Sequence, residues 1–591
     1  MKRHLRPRDW KFRAEASSIP ADELSELKRA TGLSEIALRV CLMRGLETAE
    51  SIQAFLNPRF ETIRPPSTIR DMGPAIERLA RAHDHGELVW VFGDYDVDGT
   101  TGAALFGWVL RDFGFRFEIR QPDRFRDGYG LNVGAVEEAK AAGASVLLTV
   151  DCGITSFAAA ERAVELGIDL VIVDHHQLDP TQGLPKAVAV INPQRADCES
   201  GLRQLCGCGL AFYVSIALRA RGRELGWFAG TAEPNLKQHL DLVVLATAAD
   251  MVPLTGDNHI LVRHGLEVLK NTKKPGFRAL LEAAGIGSRD VSPGHLGFTL
   301  GPRINASGRM GSASLALELL TTRDPAVAPA LAQKLERMNA ERAETQNRIW
   351  DEVRVRVEEG MGRGLFQNGV VVADPGWHEG VVGIVASRVT ETFRRPAAVL
   401  AIRDGHGKGS VRSYGGKDVL SALRSCAGLL LGFGGHRHAA GLSIDPTQID
   451  EFANSFDAAL SGVGEEGDSP PLLLEGNCTL EDLSVESIAE LERLGPFGPG
   501  NPEPVFAFSA QVENQQVLKG RHLKYRLGEK GTAALEAIWF HGAERELIPE
   551  VGQRWEWAGV PELNRFRGRV TPTIRVKDCR QSGAFDSARL D

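Results

Sequence analysis

The segment ELVWVFGDYDVDG (87–99) carries an apolar run straight into three aspartates, Asp94, Asp96 and Asp98, and then a glycine. The same event recurs twice downstream: SVLLTV ends in Asp151, and IDLVIV ends in Asp174-His175-His176. Short continuous runs rich in Val, Ile and Leu read as strands of a parallel sheet buried on both faces. Ligands of open α/β sheets gather at the carboxyl ends of such strands. Three strand ends therefore deliver at least five carboxylates and two imidazoles to one crest. Left alone, that much negative charge repels itself, and divalent cations are the obvious remedy. One Asp after a strand is ordinarily a turn residue or a helix N-cap. Three in succession, one a D-x-D-x-D run and one followed by two histidines, favour a metal site.

From about 75 to 290 strand and helix signals alternate in the βαβ rhythm of a doubly wound sheet. The helical stretch HLDLVVLATAAD ends in Asp250. Between 326 and 359, Leu331, Leu335, Met338, Thr345, Ile349, Val353 and Val357 keep a 3–4 spacing among charged residues. This predicts one long, largely exposed helix bridging two lobes. A second α/β lobe follows, with strand GVVVAD, helix VVGIVASRVTETF and strand AAVLAIR, closing near 460. SGVGEEGDSPP (461–471) reads as a linker. Beyond it, five or so short alternating strands predict a small barrel, with an OB-like fold the leading candidate.

A chain of 591 residues has room for three or four domains with proper cores. No apolar stretch approaches the length of a membrane span. MKRHLRPRDWKFR is basic but has no apolar region behind it, so it reads as a solvated tail in preference to a secretory signal or a nucleic-acid-binding arm. Eight scattered cysteines, with Cys206-Gly-Cys208 the one close pair, lack zinc-ribbon spacing and read as reduced thiols of a cytoplasmic protein. A net charge of −8 excludes a globally basic surface, so binding of an anionic polymer needs a local stripe.

Seven motifs occur in order: DYDVDG (94–99), DCG (151–153), DHH (174–176), ATAADMVPL (246–254), GPRINASGR (301–309), WHEGVVGIVASR (377–388) and GGHRHAAG (434–441). They resemble the DHH phosphoesterase superfamily and, within it, the bacterial RecJ single-strand DNA exonucleases, over nearly the whole chain. The resemblance implies an N-terminal helical or irregular segment (1–74), a doubly wound parallel-sheet DHH lobe (75–325), a bridging helix (326–359), a DHHA1 α/β lobe (360–462) and an OB-like nucleic-acid-binding barrel (472–580).

Carried over position by position, the resemblance implies that Asp96, Asp98, Asp151, His175 and Asp250 ligate two divalent metals, with Asp151 bridging. Whether Asp94 ligates or merely orients stays open. Where many superfamily members have a histidine, this chain has Phe92, which predicts a weaker hold on one metal. Two ions ~3.5–4 Å apart clamp a phosphodiester, and the mixed Asp/His set suits Mn²⁺ or Mg²⁺. His176 is expected to face the phosphate as donor or general acid, or else to orient His175. Arg303 and Asn305 are expected to meet developing charge. Arg124 matches an arginine associated with the DNA 5′ end, with Arg126 as its alternative. Ser410 and His436 are implied as substrate-binding elements in glycine-rich loops, with His438 a packed neighbour. In the tail, RFRGR (565–569) is read as one strand with Arg565, Arg567 and Arg569 on one face, Arg575 and Lys577 repeating the pattern, and Phe566 and Val570 facing a core. The stripe is either a backbone-tracking groove for single-stranded DNA or a charged edge that blocks aggregation. Trp539, Trp555 and Trp557 are either base-stacking or core residues.

The function implied is two-metal hydrolysis of single-stranded DNA, 5′ to 3′, releasing 5′-mononucleotides in recombination and repair, by a cytoplasmic monomer. Single-strand-binding protein and a helicase stand as candidate partners, and no membrane is involved. The alternatives are a DHH/DHHA1 phosphodiesterase of oligonucleotides or cyclic dinucleotides, and a non-catalytic RecJ-like scaffold.

Overall fold

The structure is a computed structural model that describes residues 9–13, 21–179, 181–287, 291–461, 471–529, 531, 533–545 and 547–581. Most of the basic N-terminal arm and of the expected linker (462–470) lies outside the described residues. Two compact units emerge, one of Met1–Ile63, Pro253–Arg263 and Ser469–Asp591, the other of Arg64–Val252 and His264–Asp468.

The first unit opens with β1 (Trp10–Phe12) and three helices, α1 (Ala21–Thr31), α2 (Glu35–Met43) and α3 (Ala49–Leu56).

The second unit holds two α/β lobes. In the first, α4 (Met72–Asp84) leads into β2 (Leu88–Gly93), α5 (Val97–Asp112), β3 (Phe117–Arg120), α6 (Val133–Ala141), β4 (Ala144–Val150), α7 (Phe157–Leu166), β5 (Asp169–Val173) and β6 (Ala189–Ile191). The strands form an all-parallel sheet in the order β3-β2-β4-β5-β6. All six residues of β2 are buried, as are the last four of β5, because helices cover both faces. The chain leaves β2 towards β3 and returns on the other side as β4, so the topological switch lies between β2 and β4, where the aspartates sit. The lobe continues with α8 (Gly207–Glu224), α9 (Leu240–Ala249), α10 (Asp257–Lys270, shared between the two units), α11 (Pro275–Ala283), α12 (Gly301–Met310) and α13 (Ser314–Thr321). Helix α9 is buried from Leu240 to Ala248, as a core helix must be, and its one carboxylate, Asp241, is paired with Lys274.

The bridging helix α14 (Ala328–Gly362) has 35 residues, about 50 Å at 1.5 Å per residue. Its 3–4 pattern resolves into two buried patches, Ala328, Ala332 and Leu335 near one end and Ile349, Trp350, Val353 and Val357 near the other, with half-exposed positions between. The second lobe comprises β7 (Val370–Asp374), α15 (Glu379–Phe393), β8 (Ala397–Arg403), β9 (His406–Arg412), α16 (Val419–Ser425), β10 (Leu430–His436), β11 (Ala439–Ile444) and α17 (Ile449–Ala459), with sheet order β10-β11-β9-β8-β7. GGHRHAAG, expected to be a glycine-rich loop, is instead the β10–β11 hairpin, with Gly434 opposite Gly441 and His436 opposite Ala439. The alternation Ala440, Leu442, Ile444, all buried, holds these glycines in a strand that their propensity alone disfavours.

The chain then returns to the first unit with β12 (Leu472–Leu474), β13 (Gly476–Asn477), α18 (Val485–Arg493), β14 (Phe506–Leu518), β15 (His522–Gly528), β16 (Leu535–Trp539), β17 (Arg554–Phe566) and β18 (Arg569–Gln581). β14 pairs with both β15 and β17, closing a five-stranded barrel through β16 and β18. Its core holds Trp539, Trp555 and Trp557, which settles these aromatics as packing residues. The same cluster takes in Leu33, Ile36, Leu38, Ile52 and Leu56 of the helical segment. Residues expected to form a separate N-terminal piece therefore share the barrel's core. β1 pairs in parallel with β12, and the Trp10 indole donates to Asp578 at 3.0 Å.

The basic stripe needs correcting. RFRGR is a two-residue hairpin turn and not one strand: Phe566 pairs with Arg569, and Arg567 and Gly568 have φ of 50° and 78°. Such a turn with both central residues at positive φ matches the twist of the flanking strands. Phe566 and Val570 are exposed, not core-facing.

Candidate metal centre

The inter-strand ladder runs one residue past each parallel strand: Asp94 N–H donates to Val150 O, Asp151 N–H to Val173 O and Asp174 N–H to Ile191 O. Strand pairing thus brings the first acidic residue of each strand end to one level. Asp151 takes φ of 63°, a left-handed conformation that costs a non-glycine residue energy and is found at functional sites. Asp96 caps α5, accepting from Gly99 N–H at 3.1 Å, and thereby places Asp98 in the first turn. Asp98 in turn accepts from Gly207 N–H at 2.6 Å and Cys208 N–H at 2.8 Å, at the positive end of α8. Two glycines make these approaches feasible. A Cβ on Gly99 would lie 2.5 Å from the Asp94 backbone, and one on Gly207 would lie 2.7 Å from Asp151 Cβ.

Asp250, at the carboxyl end of α9, completes the cluster. His175 Nε2 lies 3.1 Å from Asp151 Oδ1, 3.6 Å from Asp98 Oδ2 and 3.7 Å from Asp250 Oδ2. Three overlapping sets place ligand-type atoms within 4.8 Å of one another: Asp94, Asp96 and Asp151; Asp98, His175 and Asp250; Asp151, His175 and His176. Asp94, Asp96, Asp98, Asp151, His175, His176 and Asp250 therefore meet. Burial, followed by the neighbouring Asp96, pushes Asp94 up to about 8. Burial and the nearby Asp98 and Asp96 push Asp250 up to about 8. Burial raises Asp98 and Asp151 as well. Asp94 Oδ2 is buried with no hydrogen-bond donor among the described residues. Crowded carboxylates and an orphaned oxygen of this kind fit hard divalent cations.

Two residues that sequence reasoning left without a role organise the histidines. Asp174 is buried; its Oδ1 accepts from the His175 and His176 backbone N–H groups and from His176 Nδ1 at 2.8 Å, and its Oδ2 accepts from Ile154 N–H. Although burial acts against its charge, these bonds hold the Asp174 carboxyl below the usual range. Burial also opposes charge on His176, but the Asp174 hydrogen bond outweighs it and pushes the imidazole up to about 9. The Tyr129 hydroxyl donates to Asp151 O and accepts from His176 Nε2, both at 3.2 Å. Their signals were present as the first letter of DHH and the Tyr of DGYG.

The arginines divide. Arg303 pairs with Glu336 on α14 at 2.5 and 3.1 Å and donates to Thr299 O. These bonds engage three of its five N–H groups. Asn305 lies with it on α12, half-buried. Arg124, whose guanidinium sits 4.7 Å over the Tyr95 ring, belongs instead to a cationic set with Arg309, Arg342 and Arg412. Arg126, its alternative, is bound by Asp127. Burial, then Arg124, Arg342 and Arg412, push Arg309 down to about 10, and Arg412 is lowered by burial and Arg124. Arg309 donates to Gly380 O and Arg342 to Gln346 and Asn339, so the set is held by neutral groups. Ser410 and Arg412 lie on one face of β9, against Gly383 of α15. His436 is exposed on β10. Arg309 ends the quoted motif GPRINASGR and Arg412 lies two residues after Ser410, whereas Arg342 had no local signal.

In the barrel, Arg565 pairs with Glu492 at 2.6 Å, Arg575 with Glu503 and Glu562 at 2.6 Å, and Lys577 with Glu503 at 3.6 Å. Arg567 lies 5.2 Å over the Phe566 ring.

Three family descriptions match along the chain: the DHH family N-terminal domain at 88–247, the DHHA1 domain at 367–462 and the RecJ OB domain at 474–578. Over 519 residues the chain is 40% identical to the single-stranded-DNA-specific exonuclease RecJ of Dickeya dadantii, covering 85% of this chain and 89% of that one. It belongs to the RecJ family. The crystal structure of Thermus thermophilus RecJ with Mn²⁺ superposes with a TM-score of 0.80 at 30% identity, covering 98% of this chain and 80% of that one. The same RecJ with Mg²⁺ gives 0.73 at 27%, covering 98% and 79%. Among the described residues no helix is long and apolar enough to cross a membrane.

Proposed function

We propose that this RecJ-family chain is a metal-dependent exonuclease that hydrolyses single-stranded DNA from the 5′ end and releases 5′-mononucleotides. The observation that carries the reading is the unneutralised carboxylate cluster at the switch point, with Asp94 Oδ2 buried and unpartnered. Asp96, Asp98, Asp151, His175 and Asp250, with Asp94, would hold two divalent cations, Mn²⁺ or Mg²⁺. When bound, such a pair polarises a phosphodiester and lowers the pKa of a nearby water.

The chain's own groups do the rest. Asp174 accepts from His176 Nδ1 and favours the imidazolium, whose Nε2–H, now on the Tyr129 hydroxyl, would turn to the leaving oxygen. Arg124, Arg309, Arg342 and Arg412 present cationic charge with no carboxylate pair among the described residues, which suits a terminal 5′-phosphate. Ser410 stands beside Arg412, and His436 and Asn305 are further substrate contacts in this reading. In the barrel, Arg567 and Arg569 would track the phosphates of a longer strand, with Arg565 the lesser contributor because Glu492 holds it. The reading carries with it a monomeric cytoplasmic enzyme whose strand is opened by a helicase and covered by single-strand-binding protein; family membership is its only support.

The test is a time course on one oligonucleotide labelled at the 5′ or the 3′ end, with and without Mn²⁺. Immediate release of the 5′ label as a mononucleotide, only with metal, is expected. Early release of the 3′ label, or internal cuts first, would reject it.

A further inference from the structure

We propose that a cleft of about 700 Å³ in the second unit, beside the arginine set, is a separate binding site for a nucleoside monophosphate. It is walled on one side by the Asp123–Arg126 loop and on the other by the start of α15 and the β8–β9 hairpin. The choice of ligand rests on the exonuclease reading, since that reaction releases this class of molecule.

The volume falls within the roughly 300–1,000 Å³ of ordinary small-ligand sites. The lining combines an apolar part with a polar rim, as a base joined to a phosphate requires. Phe125, Trp377 and Ile402 supply the apolar part. His378 supplies a directed donor. Its Nδ1 accepts from Gly380 N–H at 3.1 Å, so in the neutral ring Nε2 carries the hydrogen. Burial lowers the His378 pKa, which favours that neutral form. The rim carries Arg403 and Lys408. Their carboxylate partners are loose: Arg403 meets Asp404 at 3.8 Å and Lys408 meets Glu379 at 3.5 Å, with both cations more than half exposed. Open pairs of this kind are worth little, so a phosphate can take their place. Asp123, a third carboxylate, is committed to its own loop, accepting from Phe125 and Arg126 N–H.

The cleft adjoins the arginine set along both walls. Phe125 follows Arg124 in sequence, and Gly380, which donates to His378, also accepts from Arg309. A nucleotide released at the arginines thus has an adjacent place to reside, and its retention there would slow the next turnover.

Binding of dTMP to the full chain is measured calorimetrically in chelator, without DNA, so the result does not depend on nuclease activity. Saturable binding is expected, with one site that does not depend on the arginine set. The affinity should fall at least about tenfold in an Arg403→Glu/Lys408→Glu double variant and in Ile402→Trp, and persist in Arg412→Ala. The double variant should keep the wild-type initial rate on short strands and lose inhibition by added dTMP. The proposal is overturned if wild-type protein does not bind, if both cleft variants bind normally while folded, if Arg412→Ala alone abolishes binding, or if inorganic phosphate binds as tightly as dTMP. Failure of the exonuclease reading would show separately, as intact DNA in the presence of metal.

Discussion

The acidic crest of the first α/β lobe and the arginines of the barrel are both dense in charge, yet they treat it oppositely. At the crest, carboxylates crowd one another, burial raises them, and one oxygen has no partner. In the barrel, Arg565, Arg575 and Lys577 each meet a glutamate, which leaves Arg567 and Arg569 at the turn. Charge that a fold leaves unbalanced has been kept for something outside the chain, whereas balanced charge serves the fold. The arginine set of Arg124, Arg309, Arg342 and Arg412 is the cationic counterpart of the crest by this criterion.

The largest effect should come from the crest. Asp151→Asn should cut turnover at least on the order of a thousandfold, the upper end for one preorganised electrostatic group. The melting temperature in chelator should hold or rise, because the change relieves crowding. A collapsed melting transition would make the crest structural and erase the contrast. Arg309→Ala or Arg412→Ala should follow, at about tenfold to a hundredfold on a 5′-phosphorylated short strand, as for a lost charge-assisted contact of about 1.5–3 kcal/mol. Arg303→Ala, whose side chain is already paired, should lose less; equal losses would void the distinction between paired and unpaired arginines.

A pH series sharpens the same point. Asp94 and Asp250 are raised to about 8 in the folded chain, so the folded state holds protons that the unfolded state releases at the ordinary carboxylate pKa. Stability in chelator should therefore fall as pH rises from about 4 to about 8, and His176, raised to about 9, carries the fall further. Saturating Mn²⁺ should flatten the curve, and Asp94→Asn should make it shallower. A melting temperature that rises over this window would contradict the crowding. The barrel should give the smallest effects. Arg567→Ala/Arg569→Ala should reduce the slope of log affinity against log salt by roughly 1.4, at ~0.7 per phosphate contact. Arg565→Ala should cost under about 1 kcal/mol of stability, as exposed pairs do, and change that slope less than either neighbour.

What the sequence revealed follows the same division. The crest was legible because buried parallel strands give unbroken apolar runs, and their ends then fall at one level by pairing alone. Asp250 was legible as a helix end. The pairing of Arg303 was not legible, because its partner, Glu336, lies on another helix where no local pattern announces it. The barrel stripe was misread by carrying a period of two through Gly568, the one residue marking a reversal. Tyr129 and Asp174 were visible as letters, but their duty depends on hydrogen bonds that form only when two strand ends meet.

The pairing of β1 with β12 bears on how such a chain is made. Roughly 460 positions separate Phe12 from Leu472, a delay of ~25–90 s at ribosomal rates of about 5–20 residues per second. Trp10 waits longer still for Asp578, and the leucines of α1–α3 for the barrel residues that bury them. During synthesis the nascent chain must therefore carry an apolar helical segment without its cover while both α/β lobes fold. That interval, more than the finished molecule, is where this architecture is open to aggregation and where a holding chaperone would act.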